Sequence, residues 1–464
     1  MDENLKRSGL RGSLLLGAPC LVLACGSVEP PADTAGGDAG GILTQGTPST
    51  GAEGTGEGSG ADGSQSGGSN PTGGSQSSGA EESGGDGPKF DLGIQPDLPG
   101  QGACEPGIGK GGKKVEGPDF SYLWAANSSE GTITKIDTET VTEVGRFQVR
   151  PDGAGSPSRT SVSLSGNVAV ASRSGGVTKF YAAVEDCVES NGTPGIQTSM
   201  NNAALPWDQE ECRAWHTPFA YTTQRPVAWA QGEWNDVTCE WENELLWTAG
   251  RNGSVAQADV ILMDGDDGTV VDMVTIDGLN PDQYGIYGAA VDSEGNFWGS
   301  QLSGARLVKV NMADMSTQVW TPPSLGGYGM TVDVDGYVWI CASTIQRYDP
   351  ATDTWAASAS GIGSAGCMAD GAEGGLLWAA SGGFIRGVNR ETLLVEQEWP
   401  VPGSYGVSID FAGNVWAVAF GDGAHRVDPV TGTVTSYYGL VGAYTYSDMT
   451  GAALSSVSGT APTG

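Results

Sequence analysis

Histidine is nearly missing from this chain: His216 and His425 are the two in 464 residues. Imidazole is the side chain best suited to moving protons near neutral pH, so general acid–base chemistry has very few footholds here. Basic residues are also scarce, 22 Lys+Arg against 55 Asp+Glu, for a net charge of −33. That balance speaks against nucleic acid as a partner and against a polybasic membrane contact. It suits a solvated acidic surface on an exported protein. No cysteine pair has the CxxC spacing of a zinc cluster. Outside the N-terminal leader no apolar run approaches the ~18 residues that span a bilayer.

What is present begins with that leader. Lys6, Arg7 and Arg11 precede a short apolar run, Leu14 to Leu23, the layout of an export signal rather than of a membrane span. It ends Val22-Leu-Ala-Cys25-Gly-Ser, which resembles the lipobox of bacterial lipoproteins. The resemblance implies that residues 1–24 are removed and that Cys25 is acylated. Acyl chains anchor by burying methylenes, roughly 0.8 kcal/mol each. The expected location is the cell envelope, at the outer membrane or cell surface. Residues 25–100 are Gly, Ser, Thr, Glu, Asp and Pro with repeats such as Gly67-Gly-Ser-Asn-Pro-Thr-Gly-Gly-Ser75. They hold too little apolar surface to offset ordering entropy, so a disordered acidic stalk is expected, with an r.m.s. span on the order of 45 Å.

The rest of the chain repeats itself. Gly288-Ala-Ala-Val-Asp-Ser-Glu-Gly-Asn-Phe-Trp298 recurs as Gly329-Met-Thr-Val-Asp-Val-Asp-Gly-Tyr-Val-Trp339 and as Gly406-Val-Ser-Ile-Asp-Phe-Ala-Gly-Asn-Val-Trp416; a worn copy ends at Trp378. A period of about forty residues, filled with short strands and Gly/Asp turns, predicts a β-propeller. Trp124, Val170, Trp247, Trp298, Trp339, Trp378 and Trp416 mark seven blades, with six as the alternative. The expected head covers residues 101–456, with an insertion at 185–241 and a disordered tail at 457–464. Ala443 to Gly451 reads as a detached first strand, expected to join the first blade and close the ring. The tryptophans are expected to pack blade against blade.

The pattern G-h-h-h-D-x-x-G-x-h-W (h apolar), followed by R-h-D-P-x-T-G, resembles the propellers of streptogramin lyases of the virginiamycin B lyase type, and more loosely NHL and gluconolactonase-like propellers. That resemblance implies the fold. It also implies a His-Gly opening the catalytic blade, a W-x-x-E/H pattern and a magnesium ion, and these positions read otherwise here. The His-Gly sites are Tyr287-Gly, Tyr328-Gly and Tyr405-Gly, and Gln301, Ala342 and Ala419 follow the tryptophans. No catalytic residue is therefore assigned. The carboxylate pairs Asp292/Glu294 and Asp333/Asp335 fall on repeat turns and read as structural.

Tyr287, Tyr328, Tyr405 and Tyr446 would start innermost strands and form an aromatic rim at one channel mouth, which reads as packing or as a ligand platform. Within the insertion, Glu189, Asn191 and Thr193 resemble a worn calcium loop, with Pro194 where glycine is needed. The insertion also holds Trp207, Trp215, Trp229, Trp234 and Trp241 and could cap one face of the ring. Six cysteines remain after the leader and Cys25: the expected pairs are Cys187–Cys212, Cys341–Cys367 and Cys104–Cys239, the first two from proximity in sequence. The expected function is a monomeric, surface-tethered, non-catalytic module that binds a protein, peptide or envelope polysaccharide. The alternative is a metal-dependent lyase or lactonase.

Overall fold

The computed structural model describes residues 121–459 apart from 236, 237, 239, 305 and 373, with a two-residue strand pair at Ile108–Gly109 and Lys113–Lys114. The leader, Cys25, the 25–100 segment, Cys104, Cys239 and residues 460–464 lie outside the described residues. The described chain is all-β with one short helix, Ala452–Ser458.

One repeat shows why these residues form these elements. Gly329–Val332, Val338–Cys341, Gln346–Asp349 and Thr354–Ala357 pair in order as an antiparallel meander. β-Branched and aromatic residues fill the strands, as a pleated and half-buried surface favours. The turns are made by carboxylates. Asp333 Oδ1 accepts the backbone N–H groups of Asp335 (3.1 Å) and Tyr337 (2.9 Å), and Gly336 takes φ 84°. The other oxygen, Oδ2, accepts the indole N–H of Trp339 at 2.8 Å. Asp292 holds Trp298 and Asp410 holds Trp416 in the same way, each at 2.8 Å. The Asp and Trp six apart in the repeat are thus one hydrogen-bonded unit that joins a turn to a buried ring.

Asp410→Ala is expected to cost about 3 kcal/mol. It strips acceptors from the Asn414 N–H (2.9 Å), the Ala412 N–H (3.0 Å) and the Trp416 indole in a buried turn. Urea unfolding measures this; a loss below ~1 kcal/mol would mean the turn holds without its carboxylate.

Five four-stranded antiparallel sheets of this kind cover residues 157–217, 223–277, 286–320, 329–357 and 367–400. A seven-stranded sheet combines four strands from 404–443 with three from 122–148, joined at one residue pair, Asn127 opposite Ala443. The first strands pack on one another in chain order: Tyr122–Asn127 on Pro157–Val162, then Thr223–Ala230, Ile286–Val291, Gly329–Val332, Cys367–Ala369 and Ser404–Ile409. This succession of meanders is consistent with a propeller. Trp124, Trp247, Trp298, Trp339, Trp378 and Trp416 are all buried.

Residues 444–450 run between the first and last of these strands. Tyr444 N–H donates to Ala126 O (3.1 Å), Trp124 N–H to Met449 O (2.9 Å), and Thr450 Oγ1–H to Ile409 O (2.5 Å). The approach to Gly406 is close enough that a Cβ there would lie 1.9 Å from the Thr445 carbonyl oxygen, so only glycine fits.

Cys187–Cys212 closes the long loop between the third and fourth strands of the 157–217 sheet. Cys341–Cys367 ties the 329–357 sheet to the 367–400 sheet. These are two of the three expected pairings, the third, Cys104–Cys239, lying outside the described residues, and such bonds belong to an oxidising extracellular or periplasmic setting. Among the described residues no helix is long and apolar enough to cross a membrane.

Two boundaries need correction. The 185–241 insertion is not one block. Arg213–Thr217 is the fourth strand of one sheet and Thr223–Ala230 the first strand of the next. The true additions are the disulfide-closed loop before residue 213 and a hairpin, Glu233–Asn235 with Glu240–Glu242. Pro226 hid the strand; a register shift between Gln224 and Val227 accommodates it. Trp215 and Trp229 accordingly belong to the core, whereas Trp234 and Trp241 pair on the hairpin (ring centroids 5.5 Å). The tail boundary at 456/457 cuts the helix Ala452–Ser458, whose Leu454 and Val457 are buried.

Candidate functional site

Where the first strands begin, tyrosines converge. Tyr287 lies on Ile286–Val291, Tyr328 just ahead of Gly329–Val332, and Tyr405 on Ser404–Ile409; Tyr444 and Tyr446 come from the C-terminal segment. Centroid distances are 5.4 Å for Tyr287–Tyr328, 5.3 Å for Tyr328–Tyr405, 5.5 Å for Tyr405–Tyr446 and 5.7 Å for Tyr287–Tyr446, mostly edge-to-face. The structure therefore brings all four expected tyrosines together. It corrects the notion that all four form a rim. Tyr287 is 1% exposed and Tyr446 is buried among the others, because the C-terminal segment carries its ring into their midst. The outer faces belong to Tyr284, Tyr328, Tyr405 and Leu302, all half-buried, and to Phe420, 67% exposed and edge-on to Tyr405 and Tyr444.

Three arginines complete the group. The Arg159 guanidinium lies 3.3 Å from the Tyr446 ring centroid and 4.7 Å from that of Tyr287. Arg173 lies 4.2 Å from the Tyr444 ring, and Arg225 lies 4.9 Å from Tyr287 and 5.1 Å from Tyr284. Arg159 Nη2–H also donates to Tyr287 O at 2.8 Å. Burial and the neighbouring Arg225 charge lower the Arg173 pKa from its ordinary value. Burial pushes the Tyr287, Tyr405 and Tyr446 phenols up. Tyr444 goes the other way: burial alone would raise it, but the Arg159 charge and hydrogen bonds from Tyr287, Tyr446 and Tyr405 bring it down to about 8.

Tyr284, Tyr444, Phe420 and the three arginines escaped the sequence reading. Tyr444-Thr-Tyr446 carried a legible signal, two rings on one face of an extended segment. The arginines stand at Ser158-Arg159-Thr160, Ser172-Arg173-Ser174 and Gln224-Arg225-Pro226, in units whose repeat is worn.

The opposite ends of the same strands meet the helix. Asp448 is half-buried there: its Oδ1 accepts Gly451 N–H (2.9 Å) and its Oδ2 accepts Leu454 N–H (3.0 Å). A cavity of about 30 Å³ lies beside it, lined by Trp229, Ala290, Met330, Met368 and Leu454 among others.

The remaining candidates lie elsewhere. In the 189–197 loop Asn191 Oδ1 accepts Thr193 N–H (2.8 Å) and Glu189 Oε2 accepts Gly195 N–H (3.3 Å). The loop gathers around Glu211, whose carboxylate accepts N–H groups from Ser190, Asn191 and Gln197. It presents donors to an internal carboxylate where calcium would need oxygens. His216 Nδ1 meets Thr178 Oγ1 (2.9 Å) and His425 Nδ1 meets Ser436 Oγ (2.8 Å); burial lowers both imidazoles. Among the described residues no three His, Cys, Asp or Glu side chains converge as a metal would require.

No protein-family description matches the chain, and no curated protein matches it. Solved structures do. Virginiamycin B lyase from Staphylococcus aureus is 14% identical, with 61% of this chain and 84% of that one covered and a TM-score of 0.42. AztD from Citrobacter koseri is 11% identical (70% and 97% covered, TM-score 0.44), and a protein from Lactobacillus plantarum is 15% identical (70% and 98%, TM-score 0.48). At these identities and scores, none of them bears on what this chain binds.

Proposed function

We propose that this chain is an exported lipoprotein, anchored through Cys25 and carried on an acidic stalk, whose head is a seven-bladed β-propeller acting as a non-catalytic binding module. Residues 444–450 supply the strand that closes the ring between the 122–148 and 404–443 meanders. The ligand face is the tyrosine–arginine mouth. One observation carries the reading: at this mouth half-buried and exposed aromatic side chains (Tyr284, Tyr328, Tyr405, Phe420) surround buried tyrosines that lie against arginines, the composition of a recognition surface rather than of a proton-transfer site. The metal-dependent lyase or lactonase reading lacks a matching set of ligands among the described residues.

The test places a photo-crosslinking phenylalanine at position 420, or at Val271 on the exposed outer strand Val270–Asp277 as control, in the full chain on intact envelopes. Discrete adducts are expected from 420 alone. Equal labelling from both positions, or none, would count against the mouth as a binding face. Fatty-acid labelling that persists in Cys25→Ser would refute the anchor.

A further inference from the structure

Of the twelve described arginines, at least six stand in ion pairs with carboxylates. Arg146 meets Glu130 and Glu143, Arg251 meets Asp282, and Arg390 lies 3.2 Å from both Asp333 and Asp335. Given 55 acids for 22 bases, such pairing is easily found. The mouth instead gathers three neighbouring arginines without such a pair. Arg159 is 1% exposed and Arg225 8%, and Arg173 stands beside them half-buried. No Asp or Glu among the described residues forms an ion pair with any of the three.

Their donors are also incompletely used. The Nε–H groups of Arg159, Arg173 and Arg225, and Nη1 of Arg225, have no hydrogen-bond acceptor among the described residues. Removing a charge from water is costly even after the surroundings relax. Cation–π contacts return only part of that cost. Three neighbouring guanidiniums therefore remain undercompensated, and the group that would balance them is an anion.

We infer that this mouth is an oxyanion site: Arg173 and Arg225, backed by Arg159, take the carboxylate or phosphate group of a ligand whose apolar body rests on Tyr405 and Phe420. The inference rests on reading the mouth as a binding face and names the class of ligand it takes. Arg173 and Phe420 flank the same ring, Tyr444, one 4.2 Å and the other 5.7 Å from its centroid. A small amphipathic anion can touch both at once. Arg173 is the solvent-facing member and guides the charge in, and the buried pair holds it where the low dielectric strengthens each hydrogen bond. The acidic surface elsewhere repels anions, so the mouth is where a negatively charged ligand gains most.

The experiment titrates the full chain calorimetrically, at low salt and pH 7, with 3-phenylpropionate, its neutral amide and inorganic phosphate. The acid is expected to bind saturably and at least tenfold more tightly than the amide, with phosphate competing. Arg173→Gln, at a half-buried position, is expected to erase that preference while leaving the circular dichroism spectrum unchanged. In the unaltered protein the arginine Nε–H resonances are expected to shift as the acid is added, a readout that needs no variant. Equal binding of acid and amide would overturn the inference and leave the binding face standing. Absence of saturable binding by all three probes would overturn it too. So would a tyrosinate absorbance already present at pH 7 with the acid excluded, since Tyr444 would then supply the missing charge itself.

Discussion

A chain ending at Gly442 is expected to lose cooperative folding altogether. The missing segment contributes buried Tyr444, Tyr446, Met449, Leu454 and Val457. At roughly 1.5–3 kcal/mol for each side chain removed from water, their loss is on the order of 10 kcal/mol. Whole domains are stable by only about 5–15 kcal/mol. The truncation also strips partners from Trp124 N–H and Ala126 O on one side and Ile409 O on the other. Ending the chain at Gly451 instead removes only the helix, and a milder loss of about 4 kcal/mol is expected from Leu454 and Val457. Circular dichroism with urea unfolding distinguishes the two. A Gly442-terminated chain that unfolds at the unaltered midpoint would show that the two flanking meanders hold without the segment between them.

The second large effect concerns Asp448. Burial raises its carboxyl from 3.8 to about 6, against the opposing pull of the N–H groups of Leu454, Ala453, Gly451 and Thr450. The folded chain therefore binds this proton more tightly than the unfolded chain does. Stability from this group is full below pH 3.8, declines as pH rises, and is lost above about pH 6. The difference between 3.8 and about 6 corresponds to on the order of 3 kcal/mol. Asp448→Asn cannot titrate. The stability of the unaltered chain minus that of the variant is expected to fall by ~2–3 kcal/mol between pH 4 and pH 7. A flat difference over that window would show that the carboxyl is solvated in the folded state.

The parts of the architecture that could be read in advance are those written in short-range chemistry. Asp333, Gly336 and Trp339 specify a turn and the strand after it within seven residues, and the observed meander follows that grammar closely. The tyrosines before Gly288, Gly329 and Gly406 were visible because the repeat aligned them. Thr223–Ala230 was not visible, because Arg225 and Pro226 contradict strand chemistry locally and are tolerated only through a register shift and burial between neighbouring sheets. The helix Ala452–Ser458 was missed for a related reason. Its seven residues carry little helical signal, and its stability comes from packing and from the Asp448 carboxylate rather than from propensity.

The amino-acid order alone determined the strand-and-turn rhythm, the pairing of turn aspartates with buried tryptophans, and the two disulfides between cysteines near in sequence. Each of these is an interaction between residues close along the chain or repeated at a constant interval. Tertiary structure alone decided that Arg159 meets Tyr446 and Arg173 meets Tyr444, each across more than 200 positions. Such a meeting depends on which sheets lie side by side, and no local pattern encodes it.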